Sequence, residues 1–218
     1  IIKKYMRVII ITQDEPFYLA RNLKYLIEIL PNNCHIVGCV VSYVSPFGKK
    51  ESFLNKAIKT YNIFGFKFFI YYSIQYLKCK LNSKNNIFKL LKSNKISAIT
   101  LNESINKLSS IKKIKSFKPD LLVSILGNQI FKNPILKLAP KGCINLHTSL
   151  LPKYRGLMPT FWVMKNNEKK TGVSVFFVDE GIDTGPIITQ TEVDIGNKTQ
   201  KELIKYTKKI GMEAIAKS

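Results

Sequence analysis

Short runs of β-branched and aliphatic residues, separated by stretches with helical spacing, constrain this chain more than any other feature. The runs lie at residues 7–12 (RVIIIT), 36–42 (IVGCVVS), 96–101 (ISAITL) and 121–126 (LLVSIL). The first, second and fourth are apolar almost throughout, the pattern of strands covered on both faces of a parallel sheet. Between them, residues 17–30 read as a helix, as do the positions around Phe53, Leu54, Ala57, Ile58 and Tyr61, residues 87–91, and the set Ile105, Leu108, Ile111 and Ile114. Lys118-Pro119-Asp120 stops the last of these. Strand and helix in alternation predict right-handed βαβ units. The final third changes character: residues 142–146 and 172–178 are further short strands, residues 186–193 alternate with period two, and residues 198–216 form a closing helix weakened by Gly211. The expected fold is therefore α/β, a Rossmann-like, mostly parallel sheet flanked by helices, with a C-terminal antiparallel portion. A length of 218 residues suits one domain spanning 1–218.

That architecture does not by itself bring a nucleotide. TQDEPF follows the first strand where GxGxxG would stand, and no GxxxxGK[ST] occurs, so dinucleotide and nucleoside triphosphate sites lose their main support. The net charge of +21 admits polyanionic partners, but the lysines greatly outnumber the arginines in a chain also rich in Asn and Ile, and a solvated lysine surface is the preferred reading. Cys34, Cys39, Cys79 and Cys143 form no CxxC pair and have no His at metal-ligand spacing, which predicts reduced thiols, no metal and a cytoplasmic setting. No signal peptide opens the chain, and the missing initiator Met points to a trimmed sequence. The aromatic stretch 63–77 is too short, and too interrupted by Lys67, Ser73 and Gln75, to cross a membrane.

Polar residues gather where strands should end, at the carboxyl edge on which open α/β sheets build their sites. Asn145 and His147, two apart on an extended segment, share a face, so an amide and an imidazole converge. Asp183 lies in a Gly-flanked loop between two apolar strands, from which a carboxylate can reach a neighbouring strand end and orient a histidine for proton transfer. His35, with no acid nearby in sequence, reads as a surface residue. No G-x-S-x-G elbow supports a covalent route through Ser149 or Cys143, and Ser149 reads as a loop hydroxyl satisfying backbone groups. Phe161 and Trp162 read as core aromatics on a helix.

The run from residue 142 to 192, GCINLHTSLLPKYRGLMPTFWVMKNNEKKTGVSVFFVDEGIDTGPIITQTE, resembles the signature region of the 10-formyltetrahydrofolate-dependent formyltransferases. The likeness extends upstream to PDLLVS at 119–124 and covers roughly residues 96–195; the first half is similar in architecture only. The resemblance implies a catalytic trio of Asn145, His147 and Asp183, with 10-formyltetrahydrofolate as co-substrate. In it, a primary amine attacks the formyl carbon, Asn145 and His147 stabilise the oxyanion of the tetrahedral intermediate, and Asp183 orients His147 and passes the amine proton on. The folate ring is expected between two loops, Leu126, Gly127, Asn128, Gln129 and Ile130 on one side and Val178, Asp179, Glu180, Gly181 and Ile182 on the other, held largely through backbone groups. Tyr154, Arg155 and Gly156 are expected to meet the acceptor, with Arg155 suited to a phosphate or carboxylate or, alternatively, to a loop-fixing ion pair.

The family includes enzymes acting on methionyl-tRNA, glycinamide ribonucleotide and amino sugars. Ser45-Pro46-Phe47-Gly48-Lys49-Lys50 echoes the basic PxGRGxK loop of the tRNA enzymes only faintly, and taken as complete the chain has no C-terminal β-barrel domain of their kind. The expected acceptor is a small amine, foremost an amino sugar carried on a nucleotide. The alternatives are the catalytic domain of a methionyl-tRNA formyltransferase, a 10-formyltetrahydrofolate hydrolase and, last, a silent folate- or nucleotide-binding module. Residues 61–91 match none of these subfamilies and read as an atypical helical insertion whose aromatics are buried in the core or in a partner interface such as a homodimer, with cover over the active site, or contact with a membrane surface near a lipid-linked sugar, as further options.

Overall fold

The structure is a computed structural model that describes residues 5–42, 52–127 and 129–218. A seven-stranded sheet in the order β3-β2-β1-β4-β5-β6-β7 is built from β1 (Met6–Gln13), β2 (Cys34–Ser42), β3 (Ser97–Ile99), β4 (Leu121–Ile125), β5 (Cys143–His147), β6 (Lys170–Phe177) and β7 (Ile187–Asp194). The first five run parallel, and β6 and β7 add antiparallel strands beyond β5. The strand order reverses between β1 and β4, so a crevice opens at their carboxyl ends, and β5 delivers Asn145 and His147 to the same edge.

Side-chain alternation divides the core between the two faces of the sheet. Val8, Ile10, Val123, Ile125, Ile144 and Leu146 pack on one side with α1 (Leu19–Ile29) and α7 (Gln200–Lys217). Ile9, Ile11, Leu122 and Cys143 pack on the other with α4 (Leu108–Lys115) and α5 (Asn133–Leu136). Burying each such aliphatic side chain contributes about 1.5–3 kcal/mol, which is why these runs cannot lie at the surface. Helix α7 starts with a capping box between Thr199 and Glu202. Gly211 does not break it: a Cβ there would stand 2.5 Å from a Leu146 methyl, so the glycine lets the helix lie close against β5.

Expectation and structure part in three places. The third strand is only Ser97–Ile99, because Thr100 has left the ladder and gives its carbonyl to Lys113 Nζ. Phe161 and Trp162, on α6 (Pro159–Lys165), are exposed and stack edge-on against each other rather than entering the core. The aromatic stretch is α2 (Phe53–Leu81), followed by a 3-10 turn at Ser83–Asn85 and by α3 (Ile87–Ser93), and α2 contributes no residue to the core. Gly65, at φ 78° and ψ 174°, interrupts it. Ring pairs Phe53–Tyr76 and Tyr61–Phe69, with centroids 6.2 and 6.0 Å apart, show two arms folded against each other. A straight helix would separate Phe53 and Tyr76 by about 34 Å.

Candidate functional site

His147, at the end of β5, is 6% exposed, and both its ring nitrogens have partners. Nε2 lies 2.8 Å from the Tyr154 carbonyl and Nδ1 lies 3.4 Å from Asp183 Oδ2. Both partners are acceptors, so a protonated ring donates to each, whereas a neutral one satisfies only one. The contact with Asp183 is the longer of the two.

The loop after β5 that shapes this arrangement is fixed from several directions. Ser149 Oγ donates to the Lys153 carbonyl at 2.9 Å, as expected of a loop hydroxyl. Ser174 Oγ donates to the Ser149 carbonyl at 2.6 Å and accepts from Leu151 N and from Gln190 Nε2, tying the loop to β6 and β7. The Tyr154 hydroxyl donates to Glu168 at 2.7 Å, which raises its pKa, and accepts from Asn166. Its side chain is therefore turned outward as an anchor, while its carbonyl orients His147. Gly156, at φ 86°, turns its N–H onto Asp183 Oδ2 at 2.8 Å, a conformation that a residue with a Cβ takes only at a cost. Asp183, itself at φ 51°, thus gathers a backbone donor and the imidazole on one oxygen.

Asn145 is half-buried on the same face of β5, and its amide makes no hydrogen bond to a described residue. It remains available to a ligand. Arg155 is exposed, and no ion pair or hydrogen bond engages its guanidinium among the described residues, so the loop-fixing ion pair considered above does not form. Cys143, two residues before Asn145, is buried with its thiol pushed up to about 12 by desolvation, which makes it a poor nucleophile. His35 is exposed and meets the edge of the Tyr5 ring, as a surface residue should.

The two loops expected to hold the folate use their polar side chains on themselves. Gln129 Oε1 accepts from Ile105 N and Ser104 Oγ, and Asn106 donates to the Ile130 carbonyl. Asp179 Oδ1 accepts from Gly181 N and from Thr184 Oγ1, and Glu180 Oε1 accepts from Asn133 N, linking one loop to the other. Leu126 takes φ 59° at the end of β4, and Gly127 beside it is exposed. Val178 is half-buried, while Ile130 and Ile182 are exposed. Asn128 lies outside the described residues. At the start of α1, Glu15 accepts from the N–H groups of Phe17, Tyr18 and Leu19 at 2.7, 3.0 and 3.2 Å, so the chain's own carboxylate fills that cluster of donors. Sequence reasoning missed this, although an acid four residues ahead of the first helical residue is its signal.

The family model described as Formyl transferase matches residues 77–217, a stretch that contains Asn145, His147 and Asp183 and covers well over half of the chain. The chain belongs to the formyl transferase family. Among curated relatives, the methionyl-tRNA formyltransferase of Clostridioides difficile (strain 630) is 48% identical over 106 residues, covering 48% of this chain and 34% of that protein. That of Kosmotoga olearia is 37% identical over 120 residues, covering 53% and 39%. The chain thus spans little more than a third of the length of these relatives. Among solved structures, phosphoribosylglycinamide formyltransferases from Bacillus halodurans and Campylobacter jejuni align with TM-scores of 0.68 and 0.66 at 21% and 19% identity. The alignments cover 96% and 97% of this chain and 91% and 94% of those. At such identities the likeness concerns the fold, a mostly parallel sheet with flanking helices and antiparallel C-terminal strands. Strands β1 and β2 and most of α2 precede the matched residues.

Proposed function

We propose that this chain transfers a formyl group from 10-formyltetrahydrofolate to a primary amine, with Asn145, His147 and Asp183 as the catalytic residues. The observation that carries the reading is the position of His147 between the Tyr154 carbonyl and Asp183, beside an Asn145 amide that no described residue engages, at the carboxyl edge of the sheet. The amine nitrogen adds to the formyl carbon, and as negative charge builds on the formyl oxygen it accepts from Asn145 Nδ2–H and from His147 Nε2–H, which exchanges the Tyr154 carbonyl for the substrate. Asp183 holds the imidazole and receives the amine proton, and the proton returns to the folate nitrogen as its bond to the formyl carbon breaks.

The reading of these two loops as the folate site is supported by the engagement of the Gln129, Asp179 and Glu180 side chains with protein donors. What they leave to a flat ring is backbone N–H and C=O groups and the exposed apolar Ile130 and Ile182. In this reading Leu126, Gly127, Asn128, Gln129 and Ile130 form one wall and Val178, Asp179, Glu180, Gly181 and Ile182 the other. Gly156 holds Asp183, Tyr154 holds His147, and Arg155 extends to the acceptor a guanidinium that no described residue engages.

For the acceptor we carry forward a small amine, foremost an amino sugar on a nucleotide. Its diphosphate suits Arg155, which is exposed and has no partner among the described residues. A second reading, the amino group of methionyl-tRNA, is favoured by the names of the curated relatives. The test is mass-spectrometric detection of formylated product from the full-length protein, 10-formyltetrahydrofolate and each acceptor in parallel. Formyl-Met-tRNA forming faster than any formylated sugar selects the second reading. Formate and tetrahydrofolate released equally fast without any acceptor overturns transfer in favour of hydrolysis.

A further inference from the structure

The α2 hairpin is the feature of the molecule that formyl transfer leaves unexplained. Its two arms meet through their own rings, Phe53 on Tyr76, Tyr61 on Phe69 and Phe64 on Phe68. Among the described residues, the ring and hydrogen-bond contacts that hold it to the body lie near one end. Phe17, in the loop after β1, meets Tyr72 and Tyr76 at 5.4 and 6.4 Å, and Asn85, bonded to Arg21 Nε, donates to the Cys79 carbonyl. At the opposite end, where Gly65 reverses the chain, Ile63, Phe64 and Phe66 are 70%, 56% and 65% exposed. Three large apolar side chains at one exposed turn cost free energy in water unless something covers them.

The charge around that tip identifies the cover. From residue 52 to residue 102 there is no Asp or Glu, while nine lysines fall in the same stretch, Lys67 directly beside Phe66 and Lys78 and Lys80 farther along the second arm. We propose that the hairpin docks on an anionic lipid surface, with Ile63, Phe64 and Phe66 entering the headgroup boundary, Lys67 meeting the phosphates beside them, and Lys78 and Lys80, farther from the tip, adding longer-range attraction to the anionic surface. Aromatic side chains favour that boundary, and each lysine near an anionic leaflet contributes about 1 kcal/mol. No helix among the described residues is long and apolar enough to cross a membrane, so the attachment is peripheral. A second copy of the chain is the poorer cover, because two acid-free lysine surfaces repel each other. RNA is poorer as well. The stretch has no arginine, and the apolar tip offers a polyanion no donors. Because α2 follows the carboxyl end of β2 and rests on the loop at the carboxyl end of β1, docking holds the edge that carries His147 toward the membrane side.

The test is co-sedimentation of the full-length protein with phosphatidylcholine vesicles with and without about one third phosphatidylglycerol, at roughly 0.15 M salt. Light scattering and RNA gel shift run in parallel on the same preparations. Binding to the anionic vesicles at least about tenfold above the neutral ones is expected, with loss of about tenfold or more in Phe64→Ser/Phe66→Ser. The charge variant Lys67→Glu/Lys78→Glu, which keeps the rings and hence the hairpin, is expected to lose the preference for anionic lipid. Both variants should keep wild-type circular dichroism and wild-type turnover of a soluble acceptor. No vesicle binding, or equal binding to both vesicle types, overturns the proposal. So does a dimer or an RNA complex that the tip substitutions abolish while vesicle binding is absent.

Discussion

Replacing Asp183 by Asn is the substitution that most cleanly separates charge from shape at this site. The asparagine carbonyl can take the position of Oδ2 and keep the Gly156 N–H bond of 2.8 Å, so the loop should survive. What disappears is a full negative charge 3.4 Å from His147 Nδ1. At an effective dielectric of about 20, one charge pair at that separation is worth ~5 kcal/mol. The Asp183 side chain is 15% exposed, and solvent screening there leaves about 3 kcal/mol of support for a protonated ring. At about 1.4 kcal/mol per tenfold, the expected loss in the chemical step is roughly 10²-fold. Single-turnover transfer with saturating folate and acceptor measures it directly, with near-ultraviolet circular dichroism and thermal melting as controls on the fold. A rate within about threefold of wild type, in a protein that melts normally, would refute the electrostatic role given to Asp183.

Three further outcomes follow from the packing. Gly211→Ala gains helix propensity of about 1 kcal/mol but drives a methyl to within 2.5 Å of Leu146 under the catalytic strand, so a net loss of about 1–2 kcal/mol is expected in denaturant titration. Glu180→Ala leaves the first backbone N–H of α5 without its partner and unlinks the two loops, which should raise the KM for 10-formyltetrahydrofolate about three- to tenfold while kcat changes little. Burial holds Lys208 down from its usual 10.5 to about 8, with Glu15 opposing. Its charged form is therefore penalised in the fold below pH 8, and the penalty fades as pH rises from 8 toward 10.5. Lys208→Met should accordingly stabilise the protein by about 1 kcal/mol at neutral pH, with the gain shrinking toward pH 10 in paired thermal melts.

The sheet was legible because its strands carry their signal locally. β1, β2 and β4 are nearly continuous aliphatic runs, and burial on both faces leaves such runs little alternative. The trio proposed here rests on the ordered motif from 142 to 192, and the shared face of Asn145 and His147 follows from strand periodicity alone. What stayed hidden depends on backbone groups, which no residue type announces. The Tyr154 carbonyl orients His147, the Gly156 N–H holds Asp183, and Glu15 fills the donors at the start of α1. Tyr154 drew notice as an acceptor contact because its type suggests one, yet its hydroxyl is committed to Glu168. Phe161 and Trp162 depart from their core reading for the opposite reason: hydrophobicity predicts that a ring will be covered but not by what. Gly65 makes α2 a hairpin through its backbone conformation, which residue type alone does not announce.

The account stands most directly on the transfer step. Full-length protein given isotope-labelled 10-formyltetrahydrofolate and a panel of primary amines, wild type beside Asn145→Ala and His147→Ala, reads that step by mass spectrometry of the acceptor. The predicted result is label in an acceptor amide with wild type and a loss of roughly 10²-fold or more in each variant, both of which fold normally. Label that never enters any amine, or transfer that survives the His147 substitution at near wild-type rate, would contradict it.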